Sequence, residues 1–489
     1  MKTIRLNKIL DIIKKYKIIN YKNILINGIA ESSNDVQKGY IFVCIKGSSY
    51  DGHNFVNEAI KKGAVAILAL KEVKVPEYVP LIIVKDTKEM LFKITDCYYS
   101  DVKKNIKIYG ITGTKGKTTV SYMIGDIIKS GMKKDVAVIG TIAYKIGNKI
   151  YASKNTTPSN LVIHKLIAES ARKNIKNIIM EVSSHALDQE RVKNINFDVA
   201  IITNVTRDHF DYHGNYKNYL RAKLKIIDNL KKGGILVVNI DDKSSQYFID
   251  KAKTKKAKIV TYSINKDSDI RIVKSDINVK RMDAQIKIKN KIYNIKSKLI
   301  GEHNLHNIMA SIGATYNFIN IKNIINVLNK FKGVKGRMEV VYNKDFTVIV
   351  DYAHNADSLK ETLMTLNKIK TGKIITLFGA GGNRDKGKRP VMGAVAERFS
   401  DVLIVTSDNP RFEEPMDIIK DILSGIKGNV KIFAIKNRRQ AIYKAIKIAD
   451  KKDIVLLAGK GHEVYQEIKG NKYPFEDGKI ALQAIKELK

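Results

Sequence analysis

The sequence predicts an α/β protein: a small amino-terminal α/β unit, a central doubly wound domain around a phosphate loop, and a Rossmann-like carboxy-terminal domain. Three observations carry this. Short apolar runs of strand type repeatedly stop at polar clusters, as buried parallel strands do where an open sheet presents its carboxyl edge to a ligand. Amphipathic helix candidates at residues 160–172, 358–366, 415–426 and 439–448 lie between those runs. The length of 489 residues, at about 150 residues per domain, suggests roughly three domains.

The first unit, residues 1–101, has a strand-like run within 36–47 and another at 63–70. Charge interrupts residues 1–8 before any signal-peptide core forms, so a cytoplasmic protein with no membrane insertion is expected. The two cysteines, Cys44 and Cys97, are too few for a disulfide framework or a zinc site and read as packed thiols.

The central unit, residues 102–332, opens with an apolar run at 106–111, a glycine-rich turn, and a helical segment at 120–128. Gly110, Gly113 and Gly116 let backbone N–H groups approach phosphate oxygens. Lys117 adds a mobile cation, and the Thr118 hydroxyl suits a phosphate-bound Mg2+ ion. The strict phosphate-loop pattern asks for glycine where Ile111 stands. Later runs end at Glu181 and before Asp208-His209, while residues 270–298 alternate as in an antiparallel meander. A helix follows from residue 301, and 331–336 reads as a linker.

The third unit, residues 333–489, repeats the strand-then-polar rhythm at 346–354, 374–385, 402–411 and 454–463. The formal net charge of +39 would suit a polyanion, but the lysines are spread along the whole chain. A solvated surface is therefore the preferred reading, with no specific nucleic-acid partner.

Glu181 and His209 each follow a strand in the phosphate-loop domain, and a carboxylate with an imidazole suits a second divalent ion near the terminal phosphate. Lys223, read alone, is a solvated helix lysine.

An ordered series of motifs resembles the Mur ligase family, ATP-dependent ligases that extend the cytoplasmic peptidoglycan precursor. The series comprises Thr-Gly-Thr-Lys-Gly-Lys-Thr-Thr at 112–119, Thr156-Thr157-Pro158, residues 181–192, 203–213, 301–307 and 336–339, and clusters at 351–354, 379–390, 408–411 and 459–463. The resemblance implies ATP as co-substrate, Mg2+ as cofactor and an acyl-phosphate intermediate. It places ATP on Gly113, Thr114, Lys115, Gly116, Lys117, Thr118, Thr119, Asn304, Arg337 and Asp351, with metal ligands among Thr118, Glu181 and His209. It marks Lys117, Glu181, His209 and Lys223 as catalytic, Lys223 being the lysine carbamylated in the family to N6-carboxylysine.

For the acceptor, UDP-N-acetylmuramoyl-L-Ala-D-Glu, it implies Ser33, Thr156, Thr157, Ser183, Gln189 and Arg191. Ser33 stands in Ser32-Ser33-Asn34, where the family carries Asp-Ser-Arg. For the incoming amino acid it implies Arg389, Asp408, Asn409, Pro410, Arg411, Gly459 and Glu463. Asp408-Asn409-Pro410-Arg411 is the form found in members that add meso-diaminopimelate, with the arginine meeting the distal carboxylate. An L-lysine-adding member and a folylpolyglutamate synthase are the rival readings, and a monomer is the expected state.

Overall fold

The computed structural model describes residues 3–47, 50–103 and 105–488, so Met1 and Lys2 of the charged amino-terminal stretch lie outside the described residues. Three larger sheets organise the chain. The first, five-stranded, runs in the order Lys17–Ile19, Leu81–Ile83, Ala64–Ala69, Tyr40–Val43, Gly28–Ala30. Its strands are short, and helices Leu6–Ile13 and Thr87–Tyr98 seal one face through Leu6, Ile9, Leu91 and Ile94.

The central sheet has eleven strands. Lys107–Thr112 sits in its middle, paired in parallel with Asn177–Glu181 on one side and Phe197–Ile202 on the other. These strands are buried on both faces, which is why they read as continuous apolar runs. Helices Lys117–Met132 and His303–Thr315 cover one face, and Asn160–Arg172 packs on the other. Beyond Lys258–Ser263 the sheet continues through Ile270–Ile277 into Met282–Ile288 and Lys291–Ser297, which pair antiparallel as their alternating pattern anticipates.

The third sheet, six-stranded, has the order Glu339–Asn343, Thr347–Asp351, Ile454–Ala458, Ile374–Phe378, Val402–Thr406, Lys431–Ile435. All pairs are parallel except the first. Thr347–Asp351, Ile454–Ala458, Ile374–Phe378 and Val402–Thr406 therefore deliver their following loops to one carboxyl edge. A separate hairpin, Tyr465–Ile468 with Asn471–Pro474, lies over that edge. Of the expected packed thiols only Cys44 is buried; Cys97 is exposed.

Candidate active site

The phosphate turn leaves the middle strand of the central sheet. Gly110 lies inside strand Lys107–Thr112 and not in the turn, which begins at Gly113. Gly113 has φ of +152°, and a Cβ there would fall 1.8 Å from Thr203 Oγ1, so only glycine fits. The turn is moored to the next strand end. Asn204 O accepts from Thr114 N at 2.8 Å, Asn204 Oδ1 accepts from Lys115 N at 2.9 Å, and Thr203 Oγ1 donates to Lys115 O at 2.6 Å. Helix Lys117–Met132 starts from Gly116 with no side-chain cap, so its first N–H groups are left to an anion.

Lys117 Nζ folds back onto the turn, donating to Gly113 O at 2.7 Å and Thr114 O at 2.9 Å. Lys223 contradicts its reading as a solvated lysine. It is 1% exposed, and its Nζ donates to the same Gly113 carbonyl at 2.8 Å. Burial, reinforced by the nearby Lys117 charge, pushes the Lys223 pKa well below the ordinary lysine value. Burial likewise lowers that of Lys117, opposed by Glu181.

Glu181 is fully buried at its strand end. Its Oε2 accepts from Thr118 Oγ1 at 2.9 Å and Thr141 Oγ1 at 3.0 Å, and its Oε1 from Thr141 N at 3.0 Å. A hydroxyl and a carboxylate side by side next to a phosphate loop are hard oxygen donors, the type Mg2+ takes. His209 is not drawn into this pair. Its φ of +53° turns it outward, 49% exposed, with its ring 4.8 Å from that of His185 and Nε2 3.5 Å from Asp208. Among the described residues, no three His, Cys, Asp or Glu side chains form a ready metal cluster. Sequence reasoning missed Thr141, although the apolar run 137–139 ending in Gly140-Thr141 carries the same strand-end signal.

A cavity of about 1190 Å³ opens between the first two sheets. Glu31, Tyr40, Tyr98, Tyr99, Lys165 and Arg191 are among its walls. Ser32 and Asn34 also line it, whereas Ser33 turns away and donates to Glu58 Oε2 at 3.0 Å. Burial raises the Glu31 pKa and lowers that of Lys165. Ser159 Oγ donates to Glu31, tying the two sheets together across the cavity.

At the cavity's inner end Arg191 donates to Gln189 Oε1 at 2.7 Å and Thr157 O at 2.9 Å. Thr157 Oγ1 accepts from Ser183 N at 3.0 Å, and Ser183 Oγ caps the helix that follows by accepting from Ala186 N. Thr156 joins Thr141 at 3.1 Å, so the expected acceptor-binding residues other than Ser33 form one connected edge running into Glu181.

On the opposite side Asn304 Oδ1 accepts from Asn307 Nδ2 at 2.9 Å, and Asn307 Oδ1 lies against Gly116. Asp351 accepts from Met338 N at 2.8 Å, Ala353 N at 3.0 Å and Thr362 Oγ1 at 3.2 Å, so it builds the turn that carries Arg337. Arg337 lies over the Tyr352 ring at 4.8 Å, its Nε buried without a partner. Lys115 Nζ reaches Glu361 of helix Ala356–Ile369 at 2.5 Å, bridging the central and carboxy-terminal sheets.

In the carboxy-terminal cluster Lys460, absent from the sequence reading, is fully buried and donates to Asn409 Oδ1 at 3.0 Å and Glu463 Oε2 at 3.1 Å. Asn409 Nδ2 also donates to Glu463 Oε2 at 2.8 Å. Arg411 is partly exposed beside them. Arg389 does not join the group. It is fully buried, with Nη1 on Asp421 at 2.8 Å and Nη2 on Glu413 at 2.9 Å. Arg384, also missed from the sequence, is exposed, and its side-chain stem passes near Gly381, where Arg411 Nη1 also lies.

Comparison with known proteins follows the same division. The model "Mur ligase family, catalytic domain" matches residues 25–99, "Mur ligase middle domain" 111–315, and "Mur ligase, glutamate ligase domain" 336–461. The chain is 41% identical over 461 residues, 94% of each chain, to the UDP-N-acetylmuramoyl-L-alanyl-D-glutamate–2,6-diaminopimelate ligase of Aquifex aeolicus (strain VF5). It is 37% identical to the ligase of that name from Halalkalibacterium halodurans, covering 99% of each. A solved structure of a UDP-N-acetylmuramoyl-L-alanyl-D-glutamate–2,6-diaminopimelate ligase superposes with a TM-score of 0.71 at 30% identity, over 99% of both chains. With the phosphate turn, the buried Glu181 and the strand-end clusters in matching order over nearly its whole length, the chain belongs to the Mur ligase family.

Proposed function

We propose that the protein joins meso-2,6-diaminopimelate to UDP-N-acetylmuramoyl-L-Ala-D-Glu with ATP, adding the third residue of the peptidoglycan precursor peptide. The observation that carries this is the connected edge from Arg191 and Thr157 through Thr156 and Thr141 to Glu181 and Thr118. It leads from a cavity large enough for a nucleotide sugar directly to the phosphate turn.

Amide formation from a carboxylate needs a leaving group. Phosphoryl transfer from ATP to the acceptor carboxylate supplies one as an acyl phosphate, which the amine attacks as phosphate departs. Backbone N–H groups of Gly113–Lys117 and the start of the following helix cradle the polyphosphate. Lys117 swings from the turn carbonyls to the phosphoryl oxygens, where charge accumulates. Thr118 and Glu181, with His209, would hold Mg2+, which would supply electrostatic neutralisation of the phosphates. Burial favours the neutral Lys223 amine, the form that adds CO2, and with loss of one proton the adduct would be an anionic carbamate. Asn304 and Asn307 face the nucleotide from the far side, and Arg337 approaches it from the turn built by Asp351.

In the carboxy-terminal cluster Glu463 receives the substrate ammonium, with Lys460 and Asn409 fixing its other oxygen. Arg411 meets the distal carboxylate. The test is phosphate release with ATP, Mg2+ and the UDP-dipeptide, offering meso-diaminopimelate or L-lysine in parallel and weighing the product by mass. Product with diaminopimelate alone is expected. Product with lysine would keep the ligase and overturn the role of Arg411, and no product with either would overturn the assignment.

A further inference from the structure

Arg411, the residue on which amino-acid choice rests in the reading above, already holds a carboxylate of its own chain. Its Nε donates to Glu467 Oε2 at 3.1 Å and its Nη1 to Gly382 O at 2.8 Å, leaving the Nη2 donors for a ligand. The backbone around it is unusual too. Arg411 has φ of +53°, a left-handed conformation that a residue with a Cβ adopts at some cost. The hairpin strand Tyr465–Ile468 holds it there, with Arg411 N donating to Glu467 O at 3.1 Å and Lys469 N donating to Arg411 O at 2.6 Å. The same strand is fastened to the rest of the turn, Glu467 N to Asn409 Oδ1 at 2.9 Å and Gln466 Nε2 to Asp408 O at 2.6 Å.

We propose that Glu467 sets the net charge of the subsite for the distal carboxylate, and is thereby a specificity-determining residue of the ligase. The inference rests on the reading of Arg411 given under Proposed function. Arg411 and Glu467 are 23% and 22% exposed, so solvent screens their mutual charge and their effect on a third charge only in part. An incoming carboxylate meets a guanidinium that is already neutralised and a like charge behind it. Arg411 therefore cannot hold a lone carboxylate firmly. Retention requires an ammonium on Glu463 at the same time, which selects for a molecule carrying both groups.

The experiment compares the full-length wild-type chain with Glu467→Gln and Glu467→Ala, with ATP and the UDP-dipeptide saturating and meso-diaminopimelate or L-lysine varied. Glutamine keeps an oxygen for the Arg411 Nε–H and removes only the charge. The expected result for Glu467→Gln is a KM for diaminopimelate lower by roughly threefold or more, with kcat little changed and lysine still giving no product. Glutarate, a dicarboxylate with no ammonium, should become a measurably better competitor against diaminopimelate. Glu467→Ala should shift in the same direction by less, because the fork loses its support. An unchanged or higher diaminopimelate KM in Glu467→Gln, or no gain by glutarate as a competitor, overturns the proposal. Absence of turnover by the wild-type chain would instead overturn the reading on which it rests.

Discussion

Lys117 and Lys223 donate to one acceptor, the Gly113 carbonyl oxygen, at 2.7 and 2.8 Å. Burial lowers the pKa of both amines, and for Lys223 the nearby Lys117 charge lowers it further. On the function proposed above, the arrangement would relax if Lys117 left for a phosphate or Lys223 became a carbamate anion.

Lys223→Met should therefore separate stability from activity. The depressed pKa means that the unfolded chain binds the extra proton, so the wild-type chain gains stability as pH rises from the native lysine pKa towards the ordinary value near 10.4. The methionine variant lacks that slope and should melt higher than wild type at neutral pH. Its ligase turnover should fall by at least about 100-fold, as expected for a lost catalytic group. Melting curves across pH, together with phosphate release, read both effects.

Glu181→Gln keeps hydrogen-bonding partners for Thr118 and Thr141 while removing the carboxylate charge. Folding should be retained, with kcat down by about 100-fold or more and a raised Mg2+ requirement. A magnesium titration of turnover checks this, and a kcat near wild type would remove Glu181 from the metal site.

His185 and His462 are both pushed down to about 4, each chiefly by burial, His185 then by His209 and His213, His462 by Arg337 and Lys335. Both are neutral in the folded chain where the unfolded chain takes up protons. Stability is thus lost as pH falls from the ordinary histidine value near 6.5 towards 4. His462→Asn should shallow that loss, as followed by denaturant midpoints between those limits.

Arg389 and Arg411 should behave oppositely. Arg389→Met strands Glu413 and Asp421 and should destabilise the chain by about 3 kcal/mol, with little selective effect on either amino acid. Arg411→Leu should melt close to wild type and raise the KM for diaminopimelate by roughly tenfold or more. Parallel melts and kinetics with both amino acids distinguish them.

The contrast shows what could be read from residues alone. Strand ends were legible because a doubly buried strand must be an unbroken apolar run, so Glu181 and Asp408 announced themselves. The meander at 270–297 was legible for the complementary reason, its half-solvated alternation. Side-chain destination was not. Nothing local to Tyr-Leu-Arg-Ala-Lys says that Lys223 points inward over the Tyr219 ring, since the burying partner lies far away in the chain. Arg389 and Arg384 differ only in which of them meets Glu413 and Asp421, a fact of helix packing. Ser33 likewise differs from its neighbours only in facing Glu58.

Gly336 stands at the passage from the central to the carboxy-terminal sheet with φ of +66°, and a Cβ there would fall 2.1 Å from the backbone of Gly461 and His462. The passage and the loop bearing Lys460 and Glu463 thus touch with no clearance between them. A side chain at 336 would therefore act as a wedge, prising the loop that bears Lys460 and Glu463 away from the turn that carries Arg337.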